Sequence, residues 1–144
     1  MPRTQRSRTL PASPQQLWEV IADPHHMPRW WPGVARMEGV EGDRFTQVLT
    51  TRRGRAVRAD FRVRRSQAPS ERSWEQEVAG TPFERVLAAS VVEVRLQAAA
   101  GGTEVTISQQ QTLRGYSRTG GFLLRRATAA KLDEALEGLA RICG

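Results

Sequence analysis

The chain of 144 residues carries 22 lysines plus arginines against 15 aspartates plus glutamates, a formal charge of +7, and 39% of it is hydrophobic. A chain of this size supports one core, so a single domain over residues 1–144 is expected rather than a two-domain enzyme. No run approaches the ~20 apolar residues of a membrane-spanning helix, and the opening MPRTQRSRTLPAS lacks the apolar middle of a secretory signal; a soluble, cytoplasmic protein is expected.

Cys143 is the one cysteine, and the histidines are the neighbours His25 and His26. That excludes an intrachain disulfide and a structural zinc site, which needs about four Cys/His ligands. A Cys-His nucleophilic pair is rejected as well, because Cys143 sits where a chain end frays. No metal and no cofactor is expected. Among the 22 basic residues 21 are arginine, and Lys131 is the sole lysine. This balance raises the prior for anionic partners such as nucleic acid, ribosome or membrane surface without choosing among them.

In chain order, RTQRSRTL reads as a first strand. Ser13-Pro14-Gln15-Gln16 then opens a helix: Ser13 caps, Pro14 suits a position needing no amide donor, and Gln16 completes a capping box. Leu17, Val20 and Ile21 share its apolar face. Asp23-Pro24 repeats the signal for a shorter helix, which Pro32-Gly33 stops. From about residue 34 to 113 the period becomes two, the signature of consecutive antiparallel strands. Val57, Ala59, Phe61 and Val63 alternate with charged residues, Trp74, Gln76 and Val78 form one face, and Phe45, Gln47 and Leu49 another. Turns fall at Gly42-Asp43, Gly54, Ala68 to Ser70 and Gly101-Gly102. Pairing about the last turn sets Leu96 opposite Val105, Val94 opposite Ile107 and Val92 opposite Gln109. A helix from about Gly121 to Cys143, with Leu132, Ala135, Leu136 and Leu139 as its apolar stripe, ends the chain.

The stretch from Ala12 to Trp18, the Asp23-Pro24 pair, and Trp30-Trp31-Pro32-Gly33 leading into Val34 resemble the opening of the START-like helix-grip (SRPBCC) superfamily. The nearest branch is the polyketide cyclase/dehydrase and lipid-transport family. The resemblance implies an α+β helix-grip fold: a curved seven-stranded antiparallel sheet wrapped around a long C-terminal helix, with two short helices between strands 1 and 2. It also implies an apolar cavity between sheet and helix. Members of such a superfamily include carriers, cyclases and ribosome-associating proteins, so the fold licenses a cavity and not a reaction.

The residues add polarity to that cavity. Gln47, Gln76, Gln109 and Gln111 fall in phase with Phe45, Leu49, Trp74, Val105 and Ile107, and an amide buried without a partner costs ~1–3 kcal/mol. A partly hydrated pocket or a ligand would satisfy them; a solvated strand end for Gln109 and Gln111 is the alternative. Trp30, Phe61, Trp74 and Leu132 are the expected apolar contacts. Tyr116 and Arg125 join the glutamines as the candidates for polar contact that cyclase relatives imply. Gly120-Gly121 is placed at the mouth of the long helix, where free amides would admit an anionic or carbonyl group. Arg52, Arg53 and Arg55 mark a basic hairpin tip, a solvated turn or a weak anionic-surface contact. No paired carboxylates and no nucleophile with its base are legible, so no catalytic residue is assigned. The first expectation is binding or transport of a hydrophobic small molecule of lipid, isoprenoid, polyketide or aromatic type. A polyketide cyclase or dehydratase is the second, and a ribosome- or nucleic-acid-associating module the third.

Overall fold

The computed structural model describes residues 3–51, 53–115 and 118–143. Strand β1 (Arg3–Leu10) leads into helix α1 (Pro14–Ile21), a 3₁₀ turn (Pro24–His26) and the single-turn helix α2 (Met27–Trp30). Six strands follow: β2 (Val34–Glu41), β3 (Arg44–Thr50), β4 (Ala56–Gln67), β5 (Glu71–Gln76), β6 (Leu87–Ala99) and β7 (Gly102–Leu113). Helix α3 (Arg118–Cys143) closes the chain. The seven strands form one antiparallel sheet in the order β1-β7-β6-β5-β4-β3-β2, the helix-grip arrangement.

Local chemistry sets these boundaries. Gln16 N–H donates to Ser13 Oγ at 3.2 Å while Ser13 N–H donates to Gln16 Oε1 at 2.9 Å, so the capping box of α1 is complete. Asp23 caps the 3₁₀ turn by accepting from His25 N–H at 3.0 Å. The β6-β7 hairpin adopts the register read from its turn, with Leu96 opposite Val105, Val94 opposite Ile107 and Val92 opposite Gln109. Gly102 is obligatory at this corner, because a Cβ there would overlap the Leu10 carbonyl oxygen where β1 turns into α1.

The sheet bends at register irregularities in β2, β4 and β6, since an extra residue in one strand kinks it and increases its twist. Helix α3 lies closest to β1, β7 and α2. Leu132, Ala135, Leu136 and Leu139 are all buried against the sheet and the short helices, as their spacing predicts. At Gly138 the approach is tightest: a Cβ would stand 2.7 Å from the Trp30 backbone. The helix starts at Arg118, three residues earlier than Gly121. The Gly120-Gly121 pair therefore lies inside the first turn instead of ahead of it, and the expected glycine mouth is corrected accordingly.

On the outer face several arginines are matched to carboxylates across and along strands. Arg58 bonds Glu38 at 2.8 Å, Arg64 approaches Glu75 at 3.4 Å, Arg62 approaches Glu77 at 3.7 Å, and Arg95 pairs with Glu93. Hydrogen bonds from Arg58 and then Arg36 hold the Glu38 carboxyl below its ordinary value. Exposed pairs of this kind contribute little each. Among the described residues no helix is long and apolar enough to cross a membrane.

Candidate functional site

Aromatic side chains from three strands and α2 build one wall of the interior. Phe45 and Phe61, opposite each other on β3 and β4, stack with centroids 5.4 Å apart. Trp74 meets Phe45, Trp30 and Trp31 edge-on at 6.3, 6.4 and 5.7 Å. Each such pair adds ~0.5–1.5 kcal/mol beyond area burial, which makes this wall rigid.

Beside it the sheet curves away from α3 and leaves a chamber of about 190 Å³. Strands β3 to β7 all contribute, and α3 contributes Lys131. Six of the sequence candidates meet here: Gln47, Phe61, Trp74, Gln76, Gln109 and Gln111. The remaining four do not. Trp30 is buried, but it is the next residue, Trp31, that lines the chamber; Trp30 ends a single helical turn with its ring packed on Trp31 and Trp74. Leu132 is turned one position away, into the aliphatic stripe. Arg125 is exposed on α3. Tyr116, like Arg52 of the basic tip, lies outside the described residues. Arg53 and Arg55 are exposed, and neither joins an ion pair among the described residues.

Gln47 and Gln109 are buried and Gln76 and Gln111 half-buried, and three of the four tie up part of the amide. Gln47 Nε2 donates to Met27 Sδ at 3.4 Å, Gln109 Nε2 donates to Ser90 Oγ at 3.2 Å, and Gln111 Oε1 accepts from Thr128 Oγ1 at 3.3 Å. What is left over matters more. Trp74 Nε1, Gln76 Nε2 and Gln109 Oε1 are buried with no hydrogen-bond partner. An unpaired buried polar atom costs ~1–3 kcal/mol, and all three belong to chamber residues. Two are donors and one is an acceptor.

Lys131 lines the chamber and is absent from the sequence candidates. Its Nζ stands 5.1 Å from the centroid of the Trp31 ring, a cation–π distance. The residue as a whole is partly exposed, yet its surroundings desolvate the amine and push its pKa below the ordinary lysine value. None of the ion pairs among the described residues includes it. The neighbouring carboxylates of α3 are directed elsewhere: Asp133 pairs with Arg6 at 3.5 Å, and Glu134 lines an outer groove.

Two wider hollows open on the surface. One of about 330 Å³ runs between α2 and α3, and one of about 520 Å³ lies against the outer sheet. The second carries Arg62 and Arg64 already paired with Glu77 and Glu75, and neither is enclosed by sheet and helix. The inner chamber is the better candidate because three of its residues carry a buried atom without a partner, against Trp30 in the first hollow and the shared Gln76 in the second. Gln76 lines both the chamber and the outer hollow. No group of His, Cys, Asp and Glu suited to a metal ion occurs among the described residues.

Comparison with known proteins places this architecture. The pattern of the family described as polyketide cyclase / dehydrase and lipid transport matches residues 1–144. An uncharacterised protein of Mycobacterium tuberculosis and one of Mycobacterium bovis are each 27% identical over 147 residues, covering 92% of this chain and 78% of theirs. Among solved structures, protein XoxI of Bacillus cereus superposes with a TM-score of 0.77 at 17% identity, over 99% of this chain and 96% of its own. The di-domain ARO/CYC StfQ of the steffimycin biosynthetic pathway gives 0.80 at 15% identity over 98% of this chain, which spans 50% of StfQ. These structural likenesses establish the fold.

Proposed function

This chain belongs to the polyketide cyclase/dehydrase and lipid transport family, and from that premise we propose that it binds a compact, mainly apolar molecule bearing oxygen acceptors in the chamber between sheet and α3. The observation that carries the reading is the set of partnerless buried atoms, Trp74 Nε1, Gln76 Nε2 and Gln109 Oε1, on residues that line an aromatic-walled cavity. Ligand sites combine an apolar lining with a few convergent polar groups in this way.

Volume limits the guest. An apolar cavity of roughly 150 Å³ holds benzene, and pockets for drug-sized ligands begin near ~300 Å³. At about 190 Å³ the chamber suits one or two fused rings, or a short branched chain, rather than a full-length lipid. The test is calorimetric titration with 2-acetylnaphthalene. Saturable one-to-one binding is expected, weakened ~2- to 10-fold by Gln76→Leu, the worth of one hydrogen bond, and removed by Ser90→Phe, which fills the cavity. Absence of saturable binding to the wild type defeats the reading.

A cyclase or dehydratase reading draws on the same atoms, because two partnerless donors on residues that line one cavity are suited to polarising a carbonyl. Turnover of a short poly-β-ketone analogue that falls with Gln76→Leu supports it; binding without product leaves the carrier reading.

A further inference from the structure

The chamber's polar atoms are unbalanced in sign. Of the groups left without partners, Trp74 Nε1 and Gln76 Nε2 donate and Gln109 Oε1 accepts, and Lys131 adds an amine over the Trp31 ring with no carboxylate paired to it. Among the described residues no carboxylate or imidazole lines the chamber, and Lys131 is the one titratable residue among them. On the outer sheet, by contrast, Arg58, Arg62 and Arg64 each stand beside a glutamate. A lone ammonium in such a place is costly unless an anion joins it.

We propose that the natural occupant carries an acidic oxygen, a carboxylate, phenolate or enolate on a one- or two-ring framework, and that Lys131 is the residue that pairs with it. This rests on the chamber being the binding site and says which ligands it prefers. The aromatic body packs against Phe61 and Trp31 while the anionic oxygen meets the Lys131 ammonium, with Trp74 Nε1 and Gln76 Nε2 as further donors. A phenol or enol entering neutral gives its O–H proton to the amine, so that an oxyanion and an ammonium form together and no other reactant is required. A carboxylate arrives already ionised, and the amine holds or takes one proton from water. The Trp31 π face stabilises the ammonium in both cases.

The experiment compares 2-naphthoate, its uncharged methyl ester and 2-acetylnaphthalene against wild type, Lys131→Met and Lys131→Gln by titration calorimetry at pH 7 and low salt. The expected result is naphthoate binding at least tenfold tighter than the ester to wild type. Both variants lose that preference, binding naphthoate and ester within about threefold of each other, and circular dichroism shows that they are folded. If wild type binds ester and ketone at least as well as naphthoate, the inference is overturned while the chamber stands as a binding site. A naphthoate preference that survives in both variants overturns it too, placing the anion elsewhere. If none of the three probes binds wild type, the chamber reading falls first and this inference with it.

Discussion

The two halves of α3 meet the sheet on different terms. From Leu132 onward the buried face is aliphatic, and Gly138 lets the backbone of Trp30 approach so closely that not even a methyl group fits between. Before Leu132 the inward contacts include Thr128 and Lys131, one hydrogen-bonded to Gln111 and the other set over Trp31, while Phe122 and Leu123 stand exposed at 52% and 57%. One half grips and the other stands off. The contrast teaches that a single helix supplies both the clamp that makes the fold stable and the roof of the space it encloses, divided within one turn.

Three substitutions break or sharpen that division. The largest effect is expected in the gripping half, where Leu136→Ala should destabilise by ~2–5 kcal/mol, the range for a fully buried leucine truncated in a core, read from urea unfolding midpoints. Gly138→Ala should follow with a loss of ~1–3 kcal/mol, because the new methyl must displace the α2 backbone even though alanine favours helix by up to ~1 kcal/mol. In the other half the sign should change. Lys131→Met removes a desolvated amine from the roof and should leave stability at pH 7 unchanged or raise it by up to ~1 kcal/mol.

The pH dependence of that third variant sharpens it further. With the folded-state pKa of Lys131 below the ordinary value, near ~10.4 unfolded, the unfolded chain binds more protons between those two values. Wild-type stability therefore gains a rising contribution with pH across that window, and the penalty of the buried charge is largest below it. In Lys131→Met this contribution should vanish. A difference between the two proteins that stays constant from pH 7 to pH 10.5 would show that the amine is not desolvated.

Much of the fold was legible because it follows short-range rules. The capping box at Ser13 and Gln16, the stripe from Leu132 to Leu139 and the hairpin register about Gly101-Gly102 each depend on residues a few positions apart, and all three are present. Of the site, the inward phase of Gln47, Gln76, Gln109 and Gln111 was readable from strand alternation alone. Two features were not. Periodicity does not choose between Trp30 and Trp31 at the end of a one-turn helix, since either ring can turn inward. Lys131 borders the aliphatic stripe, where a charged residue is ordinarily counted with the solvated face, and the curvature that opens space beneath it comes from irregularities in distant strands. A faint signal existed: the single lysine among 21 arginines stands three residues after Thr128, on the same face of the helix.

That solitary lysine has a practical corollary. Within these 144 residues an amine-selective reagent finds one lysine side chain, so the speed at which Lys131 is tagged would be a clock for whether the proposed compartment is filled. The protein thus carries a built-in reporter with which mixtures of unknown metabolites can be sorted by protection, before any of them has been identified.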